Sequence, residues 1–207
     1  MAFKGYDQLN DMQLDVLREL GNIGAGNAAT SLSSMLNRPV SITVPTVRIL
    51  NIKGVTTELG GPENLIIGLL LTLEGDVTGM IMFLMQQDFA KMILQGLLGT
   101  DIEDVTNLDA MGHSALLEIS NIMAASYVNA ISQMTNLRIN VSVPDISVDM
   151  AGAILSVPAI YFANISDEII FIEDRFESNN ESGISHVLLI PEVESLEKIL
   201  SNLGIDL

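Results

Sequence analysis

Residues 15–45 read DVLRELGNIGAGNAATSLSSMLNRPVSITVP, and residues 114–144 read SALLEISNIMAASYVNAISQMTNLRINVSVP. Laid over one another at an offset of 99, the two stretches match without a gap. Leu17 meets Leu116, Glu19 meets Glu118, Asn22 meets Asn121, Ile23 meets Ile122 and Ala25 meets Ala124. Further on, Met35 meets Met134, Asn37 meets Asn136, and Val44-Pro45 meets Val143-Pro144. Matches this regular over 31 residues mark the duplication of a structural unit. A weaker echo at an offset of 106 pairs Phe83-Leu84 with Leu189-Ile190 and Ile93-Leu94 with Ile199-Leu200. Each echo reads as a strand followed by a short helix ending near Gly99 or Gly204, where glycine suits a C-terminal cap.

Outward from the repeat, each half reads helix, strand, strand, strand, short helix. Residues 9–36 and 107–135 carry apolar side chains at helical spacing, through Leu17, Leu20 and Ala28 in one and Leu116, Ile119 and Tyr127 in the other. Residues 40–50 and 139–148 read as strands, and 65–73 with 78–85 as a hairpin around residues 74–77. In the second half, 159–163, 168–172 and 185–190 are shorter candidate strands, and the polar run 173–183 reads as a mobile loop. The expected fold is α+β: one domain over residues 1–207 made of two repeats, about 9–99 and 107–204. The repeats would be related by a pseudo-two-fold axis, their strands forming a shared core sheet flanked by helices.

Composition narrows the function. There is no cysteine, so disulfides and thiolate chemistry are excluded, and His113 and His186 are the only histidines. Nine basic residues against 26 acidic ones give a net charge of −17. Nucleic acid and anionic lipid, which are bound largely through Lys and Arg, are therefore not expected partners. The first eleven residues lack the apolar stretch of a signal peptide. The longest apolar run, 65–73, is far short of the ~20 residues needed to span a bilayer. A cytoplasmic protein is expected.

Residues three apart on a helix share a face, so Glu19 and Asn22 project together, with Asp15 one turn earlier. Ser114, Glu118 and Asn121 repeat the geometry. A lone Glu and Asn on a wet helix face would be ordinary solvated residues. Asparagine, however, is a poor residue for a helix interior, because its side chain competes for backbone hydrogen bonds. Its recurrence in step with glutamate calls for a surface that uses the pair.

At these residues the chain resembles the CheC/CheX/FliY phosphatases of bacterial chemotaxis. That family's motif is Asp or Ser, three residues, Glu, two residues, Asn, twenty-two residues, Pro. It is matched by Asp15, Glu19, Asn22 and Pro45, and again by Ser114, Glu118, Asn121 and Pro144. The string ELGNIGAGNAAT, residues 19–30, also looks like the family's first helix. Two motifs and no additional domain point to the CheC branch. The resemblance implies hydrolysis of the aspartyl phosphate of the response regulator CheY. Asn22 and Asn121 would orient the attacking water, and Glu19 and Glu118 would pair with the regulator's lysine. Asp15 and Ser114 would help bind the partner. No cofactor of the chain's own is implied, since the regulator brings its magnesium. Positioning and electrostatics then suffice for phosphoryl transfer.

The resemblance also implies binding to the deamidase CheD, with Asp149 at the matching position in a segment, 145–155, that has no counterpart after Pro45. The competing reading makes Asp149 the cap of a short helix over 150–156. A non-catalytic docking module for phospho-CheY and CheD is the alternative function, and a flagellar-switch structural part is disfavoured by the missing extra domain. Gly21, Gly24 and Gly26 resemble a phosphate-cradling loop, but they lie inside a helical pattern with no strand before them, so close helix packing is expected. His113 reads as a surface residue at a helix start, His186 as structural, and Met80, Met82, Met85 and Met92 as core filler.

Overall fold

The computed structural model describes residues 6–162, 168–178 and 181–205. Its two longest elements are the repeated helices, α1 over Asp11–Leu36 and α4 over Ala110–Thr135. Both begin at equivalent caps. The Asn10 side chain accepts from the Gln13 amide at 3.0 Å, and Asp109 accepts from the Gly112 amide at 2.8 Å. Such caps satisfy amides that a helix start leaves unpaired. Both helices end on asparagine in the left-handed region, Asn37 at φ 48° and Asn136 at φ 57°. Asparagine tolerates that region better than other non-glycine residues, which accounts for its recurrence at offset 99.

After α1 the chain forms β1 (Ser41–Ile42), β2 (Thr46–Asn51), α2 (Ile52–Glu58), β3 (Leu65–Gly75), β4 (Gly79–Gln86) and α3 (Gln87–Leu98). After α4 come β5 (Ile139–Val141), β6 (Asp145–Met150), α5 (Ala151–Ile154), α6 (Ser156–Phe162), β7 (Glu168–Ser178), β8 (Glu181–Pro191) and α7 (Val193–Asn202). All eight strands join one antiparallel sheet in the order β1-β7-β8-β4-β3-β5, with β2 also on β7 and β6 also on β3. The fold is α+β, and its symmetry is visible in that order. The first strands of each repeat pair with the hairpin of the other repeat, and β4 meets β8 at the centre, where Met82 faces Leu188. The two repeats thus share one sheet by exchanging their leading strands.

Apolar side chains cover both faces of the sheet. Ile81, Phe83 and Met85 point into the main core with residues from α1, α3, α4 and α7. Their neighbours Met80, Met82 and Leu84 point into a smaller core closed by Val55 of α2 and Ala151 and Ile154 of α5. A strand buried on both faces carries no polar alternation, so β4 reads as an unbroken apolar run. Met80, Met82, Met85 and Met92 are all buried, as expected of core filler.

Several sequence-based expectations are corrected. Residues 40–50 and 139–148 are not single strands. Each is broken where Pro45 or Pro144 has no N–H to give the ladder. The helices α2 and α6 are additions to the expected order, and α5 falls within the short helix, 150–156, of the competing reading of Asp149. Residues 159–162 of the expected strand 159–163 lie in α6, whose Pro158 fits the first turn of a helix; Ala163 is outside the described residues. The expected loop 173–183 is mostly hairpin, with register running to Ser178 opposite Glu181. Its polarity reflects alternation: Asp174, Phe176 and Ser178 are buried while Arg175 and Glu177 are exposed. Residues 179–180 lie outside the described residues. The short helices end as expected, Gly99 at φ 66° following α3 and Gly204 at φ 77° following α7. Among the described residues no helix is long and apolar enough to cross a membrane.

Candidate functional site

Asp15, Glu19 and Asn22 fall on the side of α1 that faces away from its buried stripe of Leu17, Leu20, Gly24 and Ala28. Asp15 and Glu19 are exposed and Asn22 is half-buried. On α4, Ser114, Glu118 and Asn121 are all exposed, opposite Leu116, Ile119 and Met123. The two constellations therefore stand at the same register of two equivalent helices. Their flanks differ. Asp15 is ion-paired with Arg18, whereas the Ser114 hydroxyl donates back to the Ala110 carbonyl at 2.9 Å.

Beneath the pairs, α1 and α4 pack against one another. A Cβ on Gly24 would come within 2.6 Å of the Tyr127 ring, so this glycine permits the close approach expected of it. Gly21 faces Val47 and Ile172 of the sheet, and Gly26 faces open space. None of the three cradles a loop, since all lie within α1. Tyr127 also sits edge-on to Phe83, with centroids 5.7 Å apart, and its hydroxyl donates to the buried carboxyl of Asp174. Burial pushes the Asp174 carboxyl up to about 7, against the opposing pull of the Tyr127 bond.

The histidines lie as their sequence positions suggested. His113 is exposed in the first turns of α4. His186 is buried within β8, tilted against Phe171, and burial lowers its pKa to about 4. Arg48 bonds Glu58 at 2.8 Å and lies over Phe171 at 5.2 Å, so these charges and rings form a structural cluster on the outer face of the sheet.

Asp149 is the exposed penultimate residue of β6, in register with Ile66, and accepts from the Met150 amide at 2.7 Å. It is not a helix cap: α5 starts after Met150, which supplies no side-chain cap bond. Around it lies a feature that periodicity did not single out. Met150, Val157, Ile160 and Tyr161 are exposed apolar residues on β6 and α6, and Asp149 and Val157 share a cavity of ≈ 240 Å³ with Gly68, Leu70 and Ile154. Short apolar runs such as 157–161 read as core unless the register is known.

The model of the CheC-like family matches residues 12–49 and 111–148, the same two stretches at the same offset of 99. CheY-P phosphatase CheC of Bacillus subtilis is 33% identical over 98% of this chain and 99% of its own length. The flagellar motor switch phosphatase FliY of the same organism is 27% identical over 67% of this chain and 36% of its own length. Among solved structures, Thermotoga maritima FliY superposes with a TM-score of 0.75 at 22% identity, covering 95% of this chain and 98% of that one. The FliM middle domain from Helicobacter pylori has the same fold, with a TM-score of 0.68 at 15% identity over 94% of this chain and 99% of that one. With near-complete coverage by a relative at this identity, and both repeats matched separately, the chain belongs to the CheC-like family.

Proposed function

We propose that this chain is a phosphatase that hydrolyses the aspartyl phosphate of the chemotaxis response regulator CheY at two equivalent sites. The observation that carries the reading is the same outward-facing Glu–Asn pair standing twice at one register of two equivalent helices. An aspartyl phosphate is an activated bond, and the regulator supplies the magnesium and lysine around it. A visiting protein then needs to orient one water in line and hold the complex in place. Asn22 and Asn121 have the amide for the first task. Glu19 and Glu118 have the carboxylate for the second, paired with the regulator's lysine. Asp15 and Ser114, one turn earlier, would contact the partner's rim. Solvent-exposed helix faces suit a macromolecular substrate whose reacting group lies in its own cleft.

Binding to CheD is a second element of the proposal, favoured by Asp149 beside the exposed apolar residues of β6 and α6. A docking module without catalysis would use the same two surfaces. The deciding experiment is phosphate release from phosphorylated regulator with and without the purified chain. Acceleration with no added nucleotide is expected; decay at the spontaneous rate with binding intact would favour the docking module.

A further inference from the structure

Ten large apolar side chains are exposed among the described residues, and four of them form two pairs at the repeat offset. Met12 and Met111 are 65% and 66% exposed, and Val44 and Val143 are 80% and 83% exposed. Single exposed apolar residues need no explanation. Two positions left exposed in both repeats, beside the same polar pair, do.

Their placement follows from the fold. The equivalent caps at Asn10 and Asp109 fix Met12 and Met111 as the second residue of their helices. At about 100° per residue, Met12, Asp15, Glu19 and Asn22 fall within roughly 80° of one another, a single stripe with the methionine at its leading end. Val44 lies at the other end. The Val40 amide donates to the Ser33 hydroxyl at 2.9 Å, and Val47 lies 3.3 Å from where a Cβ on Gly21 would be. Residues 40–47 therefore run back along α1, bringing Val44 alongside the turns just past Asn22. Pro45 interrupts the ladder there, so Val44 is held in the gap between β1 and β2, outside either strand. Met12 takes no part in the capping box, which is made by Asn10 and Gln13.

We propose that Met12 with Val44, and Met111 with Val143, are apolar anchors that seat the phosphorylated response regulator on each copy of the site. The inference rests on the phosphatase reading and extends it: the anchors supply affinity, and the Glu–Asn pair between them supplies chemistry. Seated apolar side chains exclude water from around the glutamate and the regulator's lysine, which strengthens that charge pair. Methionine, flexible and polarizable, suits a leading contact that must adapt to its partner.

The test uses the full chain in an Asn121→Ala background, so that turnover reports the α1 site. Met12→Gln with Val44→Ser should raise KM about tenfold or more while kcat stays within about twofold. Met12→Leu with Val44→Ile should keep KM near the parent value. Separately, a chain with all four anchors made polar should bind regulator carrying beryllofluoride, a stable acyl-phosphate mimic, about tenfold or more weakly by calorimetry. An unchanged KM, a fall in kcat alone, or equal loss in the Leu and Ile variants would overturn the proposal. If the unmodified chain binds without accelerating hydrolysis, the phosphatase reading fails and the calorimetric comparison still decides the anchors. If it does not bind, both fall.

Discussion

On α1, Asn22 is half-buried, Asp15 is tied to Arg18, and the helix is thinned by Gly21, Gly24 and Gly26. On α4, Asn121 is exposed, Ser114 bonds its own helix, and the corresponding residues are Ser120, Met123 and Ala125. The contrast deepens toward the sheet. Phe83 corresponds to Leu189, and the ladder sets Leu69 opposite Phe83 and Ile170 opposite Leu189, so Leu73 corresponds to Asp174. The buried Tyr127–Asp174 pair thus takes the positions held by Ala28 and Leu73 in the other half. The Glu–Asn pair has been kept in both halves, while Asp15 gives way to Ser114 and what each helix packs against has diverged. Selection on a bound surface and freedom to repack a core would give that pattern.

The largest effect should come from removing both amides. Asn22→Ala with Asn121→Ala should lower turnover by roughly 10²–10⁴ with the fold retained, the range for a positioned catalytic group. Each single variant should stay active, with Asn121→Ala the more damaging because Asn121 is the more exposed amide. Single-turnover decay of phosphorylated regulator reads this, and a single variant as inactive as the double would refute two independent sites.

The buried pair should make stability depend on pH in a defined direction. The folded Asp174 carboxyl holds its proton up to about 7, whereas an unfolded aspartate releases it near 4. Between those values the folded state binds more protons, so this group's contribution to stability falls as pH rises, by up to about 1.4 kcal/mol per unit. Below that window the contribution is fully present, and above it the loss is complete. Asp174→Asn should remove this slope, amounting to a few kcal/mol across the window. Chemical denaturation of both proteins from pH 4 to 8 measures it. Equal slopes would mean that the carboxyl is not desolvated as its burial implies.

A smaller effect is expected at the half-specific surface. Asp149→Lys should weaken CheD binding by about 2 kcal/mol, the lower end for a charged interface contact, since Asp149 is exposed in the free chain. Phosphate release should be unaffected. Parallel loss of both activities would point to misfolding rather than an interface.

The glycines sharpen the comparison further. Gly24→Ala should destabilise by about 1–3 kcal/mol, because the new methyl meets a Tyr127 ring already held by Asp174 and Phe83. Gly26→Ala should instead add about 0.5–1 kcal/mol, since nothing lies within 4 Å and alanine is the better helix former. Urea unfolding of the two variants checks the sign of each.

Much of this was written in the local sequence. The two long helices and the outward pairs follow from a 3.6-residue period, which acts over a few residues and survives in any context; that Asn37 and Asn136 end those helices in the left-handed region was seen only in the structure. The repeat offset fixed which residues are equivalent, and that alone made Glu19–Asn22 and Glu118–Asn121 a candidate site. The exchange of leading strands between repeats was not legible, because strand pairing is a contact between distant segments whose partners no local pattern names. The hairpin through residues 173–183 was hidden for a related reason: its outward polar residues resemble a loop until β8 supplies the ladder. The exposure of Met12, Val44 and Ile160 could be decided only by the tertiary structure. An apolar side chain has the same local signature whether the fold covers it or leaves it for a partner.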